Sequence, residues 1–459
     1  MSQTAAISRN PATGEEIARY PFQDGAALEH SLQRVHSGFQ HWRDTPLAAR
    51  AEALRRMARA LREQAEELAR CGSSEMGMPI SQARAEVAKC AALCDWYAEH
   101  GPAMLAEEPT SVEEDRARIA YLPLGAVLAV MPWNFPFWQV MRGAVPIILG
   151  GNSYLLKHAP NVMGCATLLA RVWHASGLPD GVFELLNVTP DLVSRAIADP
   201  RIAAVAVTGS VGAGAAIAAQ AGAALKKCVL ELGGSDPFIV LADADLDEAV
   251  KAAVVGRFQN NGQICIAAKR IILEAPIAAD FTRRFVAAVA ALKIGDPQDA
   301  ATYLGPMARA DLRDELHGQV CATLEEGAEL LLGGQPLAGP GNYYAPTVLG
   351  GVRPGMTSFR REVFGPVASL IEARDAEHAI ELANDSEFGL GGSLWSADVE
   401  QAQRLARRIV SGAVFINGYA ASDSRVPIGG VKKSGFGREL SHFGLREFLN
   451  VQMVWRDRR

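Results

Sequence analysis

The sequence predicts an α/β fold: two doubly wound parallel sheets in series, with a small arm for oligomerisation. Two sets of short, continuously apolar runs carry this reading. The first lies at residues 126–131, 153–156, 182–186, 203–207 and 228–232, with helical sequence between the runs. The second lies at 238–241, 270–273, 367–371, 391–395 and 413–416. Strands apolar along their whole length suit a sheet buried on both faces, and parallel neighbours need crossovers of the kind the helical stretches supply.

In chain order, an irregular opening contains Asn10-Pro11-Ala12-Thr13-Gly14-Glu15. Thr45 and Pro46 then read as the N-cap and first residue of a long helix. Leu47, Leu54, Met57, Leu61 and Leu68 fall on its apolar stripe, opposite Arg55, Arg56, Arg62 and Glu63. The segment 108–122 is more polar and alternating, and 448–455 reads as an isolated strand. Such edges must be paired or covered, so both are expected to be arms of a homodimer or homotetramer. The expected division is 1–106 with 124–232 as one unit, 233–440 as the second, and 107–123 with 441–459 as the arm.

A chain of 459 residues, 49% apolar and 21% charged, is long enough for several cores and is not mainly disordered. With 45 Lys and Arg against 51 Asp and Glu, and no long basic block, nucleic acid is excluded as a partner and a small-molecule enzyme is expected. The seven cysteines are odd in number and lack the paired spacing that holds zinc, so no metal and a reducing cytoplasm are expected. No signal peptide is visible from Met1 to Phe22. The apolar stretch 122–156 is interrupted by Pro132, Asn134, Pro136, Arg142 and Pro146, which argues against a membrane span.

Four segments could carry chemistry. In Phe258-Gln259-Asn260-Asn261-Gly262-Gln263-Ile264-Cys265 a polar run places one thiol between apolar stretches. An inert buried cysteine is the alternative, but a nucleophile here would need a base or positive potential, because a thiol is mostly protonated at neutral pH. Glu231 ends a predicted strand in Val229-Leu230-Glu231-Leu232-Gly233-Gly234, where the glycines permit a sharp turn; it is a candidate base or a solvated strand end. Asn134, in Met131-Pro132-Trp133-Asn134-Phe135-Pro136, is an oxyanion donor or an ordinary turn residue. Val207-Thr208-Gly209-Ser210-Val211-Gly212-Ala213-Gly214 joins a strand to a helix, and is a pyrophosphate cradle or merely a tight turn.

Taken in order, 10–15, 132–136, 208–214, 231–234, 262–265 and Glu362-Val363-Phe364-Gly365-Pro366 resemble the aldehyde dehydrogenase superfamily over essentially the whole chain. Lys157-His158-Ala159-Pro160-Asn161-Val162-Met163-Gly164, and 415–419 leading to Ser422 and Asp423, look most like its shorter bacterial succinate-semialdehyde dehydrogenases. The resemblance implies a Rossmann-like cofactor domain and a catalytic domain. It implies Cys265 as nucleophile, Asn134 with the Cys265 N–H as oxyanion site, and Glu231 as the base that activates water. It further implies NAD(P)+ held by Trp133, Lys157, Pro160, Gly209, Ser210, Gly214, Leu232, Glu362 and Phe364. Glu439 matches a carboxylate thought to assist proton movement, or is a solvated glutamate.

Two departures qualify the resemblance. Lys157-His158-Ala159-Pro160 lacks the carboxylate that many NAD-preferring relatives place at the adenosine ribose, so a 2′-phosphate would not be repelled. Arg142, eight residues after Asn134, matches an arginine that grips a substrate carboxylate, whereas the arginine some relatives carry six residues before the cysteine is Gln259 here; Ser422 is expected to compensate with a hydroxyl. The expected reaction is oxidation of succinate semialdehyde to succinate, with glutarate semialdehyde as an alternative substrate. A cysteine hydrolase or a non-catalytic binding protein are the alternatives of other classes; the scattered histidines and intact Cys265, Glu231 and Asn134 argue against them.

Overall fold

The computed structural model describes residues 4–113 and 116–457; the parts of the expected first unit and arm at 1–3, 114–115 and 458–459 lie outside the described residues. The α/β architecture has two large sheets. The first runs, in spatial order, Gly435–Phe436, Lys227–Glu231, Ile202–Thr208, Ala126–Val130, Ser153–Lys157, Phe183–Leu185. All its pairs are parallel except the Gly435–Phe436 edge. The second runs Glu329–Leu332, Thr347–Gly350, Val367–Ala373, Ala268–Glu274, Asp236–Val240, Ser393–Trp395, Phe415–Ile416, with its first pair antiparallel and the rest parallel.

Each of the ten apolar runs contains a strand. Helices cover both faces of both sheets, and each sheet accordingly has two apolar clusters, one per face. In the first sheet the chain steps outward from Ala126–Val130 to Ser153–Lys157 and Phe183–Leu185, then returns to the other side at Ile202–Thr208. That reversal opens a crevice at the carboxyl ends of Ala126–Val130 and Ile202–Thr208, the usual ligand position in an open α/β sheet. Asn134 and Ser210 both follow these ends.

Several local expectations are corrected. Helix Leu47–Glu63 stops at Gln64, and a second helix, Ala65–Met76, carries Leu68. Thr45 does not cap it: its hydroxyl donates to His41 O at 3.2 Å, and Pro46 takes the cap position. The opening is an antiparallel pair, Ala5–Arg9 with Glu16–Pro21, and the Asn10 side chain accepts the Ala12 N–H at 2.9 Å within the turn. The first sheet takes its Gly435–Phe436 edge from within the 233–440 segment. Leu449–Trp455 pairs with Ala117–Pro123, which pairs with Glu108–Pro109, in a three-stranded antiparallel sheet.

Candidate active site

The loop that carries Cys265 is held from several sides. Asn260 and Asn261 have φ of 51° and 54°, and Gly262 has φ of 69°. A Cβ on Gly262 would lie 2.3 Å from Gly365 O, so only glycine fits there. Asn261 accepts the Gly305 N–H at 2.7 Å and donates to Pro306 O at 2.9 Å; Gln263 accepts the Ala308 N–H at 3.1 Å. Lys269 Nζ donates to the carbonyls of Ile264 at 2.8 Å and Cys265 at 2.6 Å, and lies 3.3 Å from Glu362. This buried lysine was not anticipated; its signal was a lysine directly before the arginine that opens the predicted run 270–273.

The half-buried Cys265 lines a cleft of about 570 Å³. Burial pushes its thiol up to about 11, opposed by the positive charges of Arg142 and Lys269. Asn134 donates through Nδ2 to Gln263 O at 3.0 Å, two residues before the thiol, which leaves its second amide hydrogen for another acceptor. Asn260 Nδ2 donates back to Asn134 O at 2.6 Å. The thiol loop and the Asn134 turn therefore form one hydrogen-bonded unit.

Glu231 is buried at the end of its strand, and neither carboxylate oxygen has a hydrogen-bond partner among the described residues. Burial, and then the neighbouring Glu439, hold its carboxyl well above the usual range against the pull of Arg142. The following glycines act by close approach. A Cβ on Gly233 would lie 2.3 Å from Glu362 Oε2, and one on Gly234 would lie 2.7 Å from Cys265 O. The Gly234 N–H also donates to Glu362 at 3.0 Å.

Of the residues expected at the site, Trp133, Asn134, Gly209, Ser210, Glu231, Leu232, Cys265, Glu362 and Phe364 line the cleft. Trp133 and Phe364 meet edge to face with centroids 5.8 Å apart. Ser210 caps helix Val211–Ala223, its Oγ accepting the Ala213 N–H at 3.3 Å. A Cβ at Gly209 or Gly212 would meet nothing within 4 Å, so the helix start faces open space able to admit an anionic group. Gly214 lies deeper and serves packing, because a Cβ there would lie 2.4 Å from Leu232 Cδ2.

The remaining expected residues lie outside this cleft. Lys157 ends its strand, half-buried, and Pro160 opens a single 3-10 turn. Between them His158 is buried; burial lowers it to about 4, so the ring is neutral, Nε2–H donating to Pro136 O at 2.8 Å and Nδ1 accepting the Ala159 N–H at 2.9 Å. The departure at His158 thus ties the strand end to the Asn134 turn. Gln259 is half-buried at the end of helix Leu246–Phe258, and the Ser422 hydroxyl accepts from Lys89 Nζ at 2.7 Å.

Arg142 is not presented as a free grip. It is buried, ion-paired through Nε with Glu439, and its Nη2 lies 3.8 Å from Glu231. Its helix, Trp138–Leu149, is buried on every side, so spacing from Asn134 could not reveal where the guanidinium points. Glu439 is likewise buried rather than a solvated glutamate.

Fold and site together define a doubly wound nucleotide-crevice protein with a thiol, an amide and a buried carboxylate at one wall of the crevice. The chain belongs to the aldehyde dehydrogenase family, whose sequence profile matches residues 2–454. It is 66% identical over 455 residues to the Escherichia coli (strain K12) succinate semialdehyde dehydrogenase NAD(P)+ Sad, covering 99% of this chain and 98% of that protein. It is 46% identical over 449 residues to succinate-semialdehyde dehydrogenase NADP(+) 1 of Mycobacterium tuberculosis (strain ATCC 25618 / H37Rv), covering 97% and 98%. Its fold matches the crystal structure of succinic semialdehyde dehydrogenase from Streptococcus pyogenes in complex with NADP+ with a TM-score of 0.97 at 35% identity, covering 99% of this chain and 100% of that one.

Proposed function

We propose that this protein oxidises succinate semialdehyde to succinate with NAD(P)+. The observation that carries the reading is the convergence of Cys265, Asn134 and Glu231 on one cleft beside the open start of helix Val211–Ala223. Full-length similarity to succinate-semialdehyde dehydrogenases supports the substrate.

The cleft suits a dinucleotide. Ser210 and the helix start would take the pyrophosphate, Glu362 the nicotinamide ribose, and Trp133, Leu232 and Phe364 the nicotinamide end, with Lys157 and Pro160 toward the adenosine. When bound, the cofactor supplies the hydride acceptor. Cys265, as thiolate, adds to the aldehyde carbon; the resulting oxyanion accepts from the free Asn134 amide hydrogen and the Cys265 N–H. Once the carbon has been oxidised, Cys265 holds a thioester. Glu231 takes a proton from the water that attacks it, releasing the acid and the thiol.

Lys157 and the missing carboxylate beside it support use of NADP+ as well as NAD+. Leu449–Trp455 forms the free edge of its sheet and exposes Val451, Met453, Val454 and Trp455, which supports a homodimer or homotetramer built through this arm. Among the described residues no helix is long and apolar enough to cross a membrane; a cytoplasmic location is part of this reading.

Following absorbance at 340 nm with succinate semialdehyde, glutarate semialdehyde and butanal, each against NAD+ and NADP+, tests the proposal. Succinate semialdehyde should give the highest kcat/KM. No reduced cofactor with any aldehyde would end the dehydrogenase reading, and preference for another aldehyde would end the substrate assignment.

A further inference from the structure

Helix Ile80–Met104 carries Gln82, Glu86 and Lys89 at one helical spacing, and each reaches a different neighbouring segment. Gln82 Oε1 accepts the Asn260 N–H at 2.7 Å, in the loop that carries Cys265. Glu86 Oε1 accepts the N–H groups of Phe137 at 2.8 Å and Trp138 at 2.7 Å, at the start of the helix that follows Asn134. Lys89 Nζ donates to Ser422 Oγ at 2.7 Å and lies 4.2 Å from the centre of the Trp138 ring.

Gln82 and Glu86 have backbone partners; Lys89 has a neutral hydroxyl and an aromatic face. The charged and titratable groups around it do not neutralise it. Glu86, on its own helix, is spent on two backbone N–H groups and is itself pushed up to about 7 by burial. Arg142, from the helix packed alongside, repels it, and Cys90 is a buried thiol whose burial keeps it protonated. Asp423, beside Ser422, is held by Arg425 through contacts of 2.9 and 2.7 Å. Lys89 forms no ion pair among the described residues. Burial lowers its ammonium to about 8, with Arg142 adding to the effect.

A desolvated ammonium, fixed over a tryptophan and left with donors to spare, is suited to an incoming anion. Trp138 opens its helix four residues after Asn134, and its neighbour Gln139 lines the cleft, so an anion held by Lys89 would sit past the amide that meets the carbonyl of a short substrate. We propose that Lys89, with Ser422, binds the substrate carboxylate and selects aldehydes that carry one. This rests on the reading of the protein as a semialdehyde dehydrogenase. It gives the role expected of Arg142 to a residue on a different helix.

The test is steady-state kinetics of Lys89→Met and Lys89→Arg on succinate semialdehyde and on butanal, its uncharged analogue of equal chain length. Lys89→Met should raise KM for succinate semialdehyde about tenfold or more with kcat within about twofold, and leave kcat/KM for butanal unchanged or higher. Lys89→Arg should keep most of the affinity. NADP+ binding, read by protein fluorescence, should match wild type in both variants and shows that they are folded. An unaltered KM for succinate semialdehyde, or equal losses on both aldehydes, overturns the role of Lys89. Absence of any wild-type preference for succinate semialdehyde over butanal overturns the substrate reading, and this inference with it; a wild-type preference that survives in Lys89→Met rejects Lys89 alone.

Discussion

Arg142 Nη2 lies 3.8 Å from the Glu231 carboxylate, and both side chains are only 2% exposed. With Glu439 on its other side, the guanidinium holds two carboxylates of the site in place.

Removing that charge should therefore damage the site regardless of substrate. Arg142→Met should destabilise the protein by about 3 kcal/mol, because buried Glu439 loses the guanidinium it is ion-paired with. It should lower kcat/KM for succinate semialdehyde and butanal by similar factors. Thermal unfolding and the two-substrate comparison check this; a loss confined to the carboxylated aldehyde would restore Arg142 as the substrate grip.

Cys265→Ala should abolish turnover, since no other thiol among the described residues lines the cleft, while NADP+ affinity stays within about threefold of wild type. Normal turnover in this variant would remove Cys265 from the mechanism.

The pH dependence follows from two groups raised by burial: Glu231 to about 8 and Cys265 to about 11. Both work in their deprotonated forms, and a raised pKa makes that form scarce at neutral pH. As pH increases from 6 to 8, kcat/KM should rise at least about tenfold through the thiol, and kcat should rise as Glu231 deprotonates. Glu231→Gln should lose the pH-dependent rise in kcat and keep the rise in kcat/KM due to the thiol. A flat wild-type profile would contradict both assignments.

Gly262→Ala should cost about 1–3 kcal/mol through its left-handed backbone and the contact with Gly365 O. Because the strain falls three residues before Cys265, kcat should fall further than cofactor affinity, as kinetics and a fluorescence titration would show.

Much of the scaffold was legible because buried parallel strands leave an unambiguous mark: ten apolar runs became strands with ends shifted by a residue or two. Glu231 was legible for a related reason, as a polar residue at the end of such a run, whereas Asn134 stood out in a proline-bounded turn just past one and Cys265 in a polar segment between apolar stretches. The Gly233-Gly234 pair was legible as a position but not as a cause: a sharp turn was expected, whereas close approach to Glu362 and Cys265 O requires the glycines.

The sequence by itself determined the sheet class and the chemical types of the candidate segments, because periodicity and motif order are properties of the chain alone. Tertiary structure alone decided which cation faces which anion. Helix Trp138–Leu149 is buried all round, so no polar face foretold that Arg142 would turn to Glu231 and Glu439. Lys89 stands on helix Ile80–Met104, for which the sequence offered no functional signal, and only packing against Trp138 and Ser422 desolvates its charge. Electrostatic partners are chosen by distance in space, and residues 53 positions apart, such as Lys89 and Arg142, share no signal along the chain.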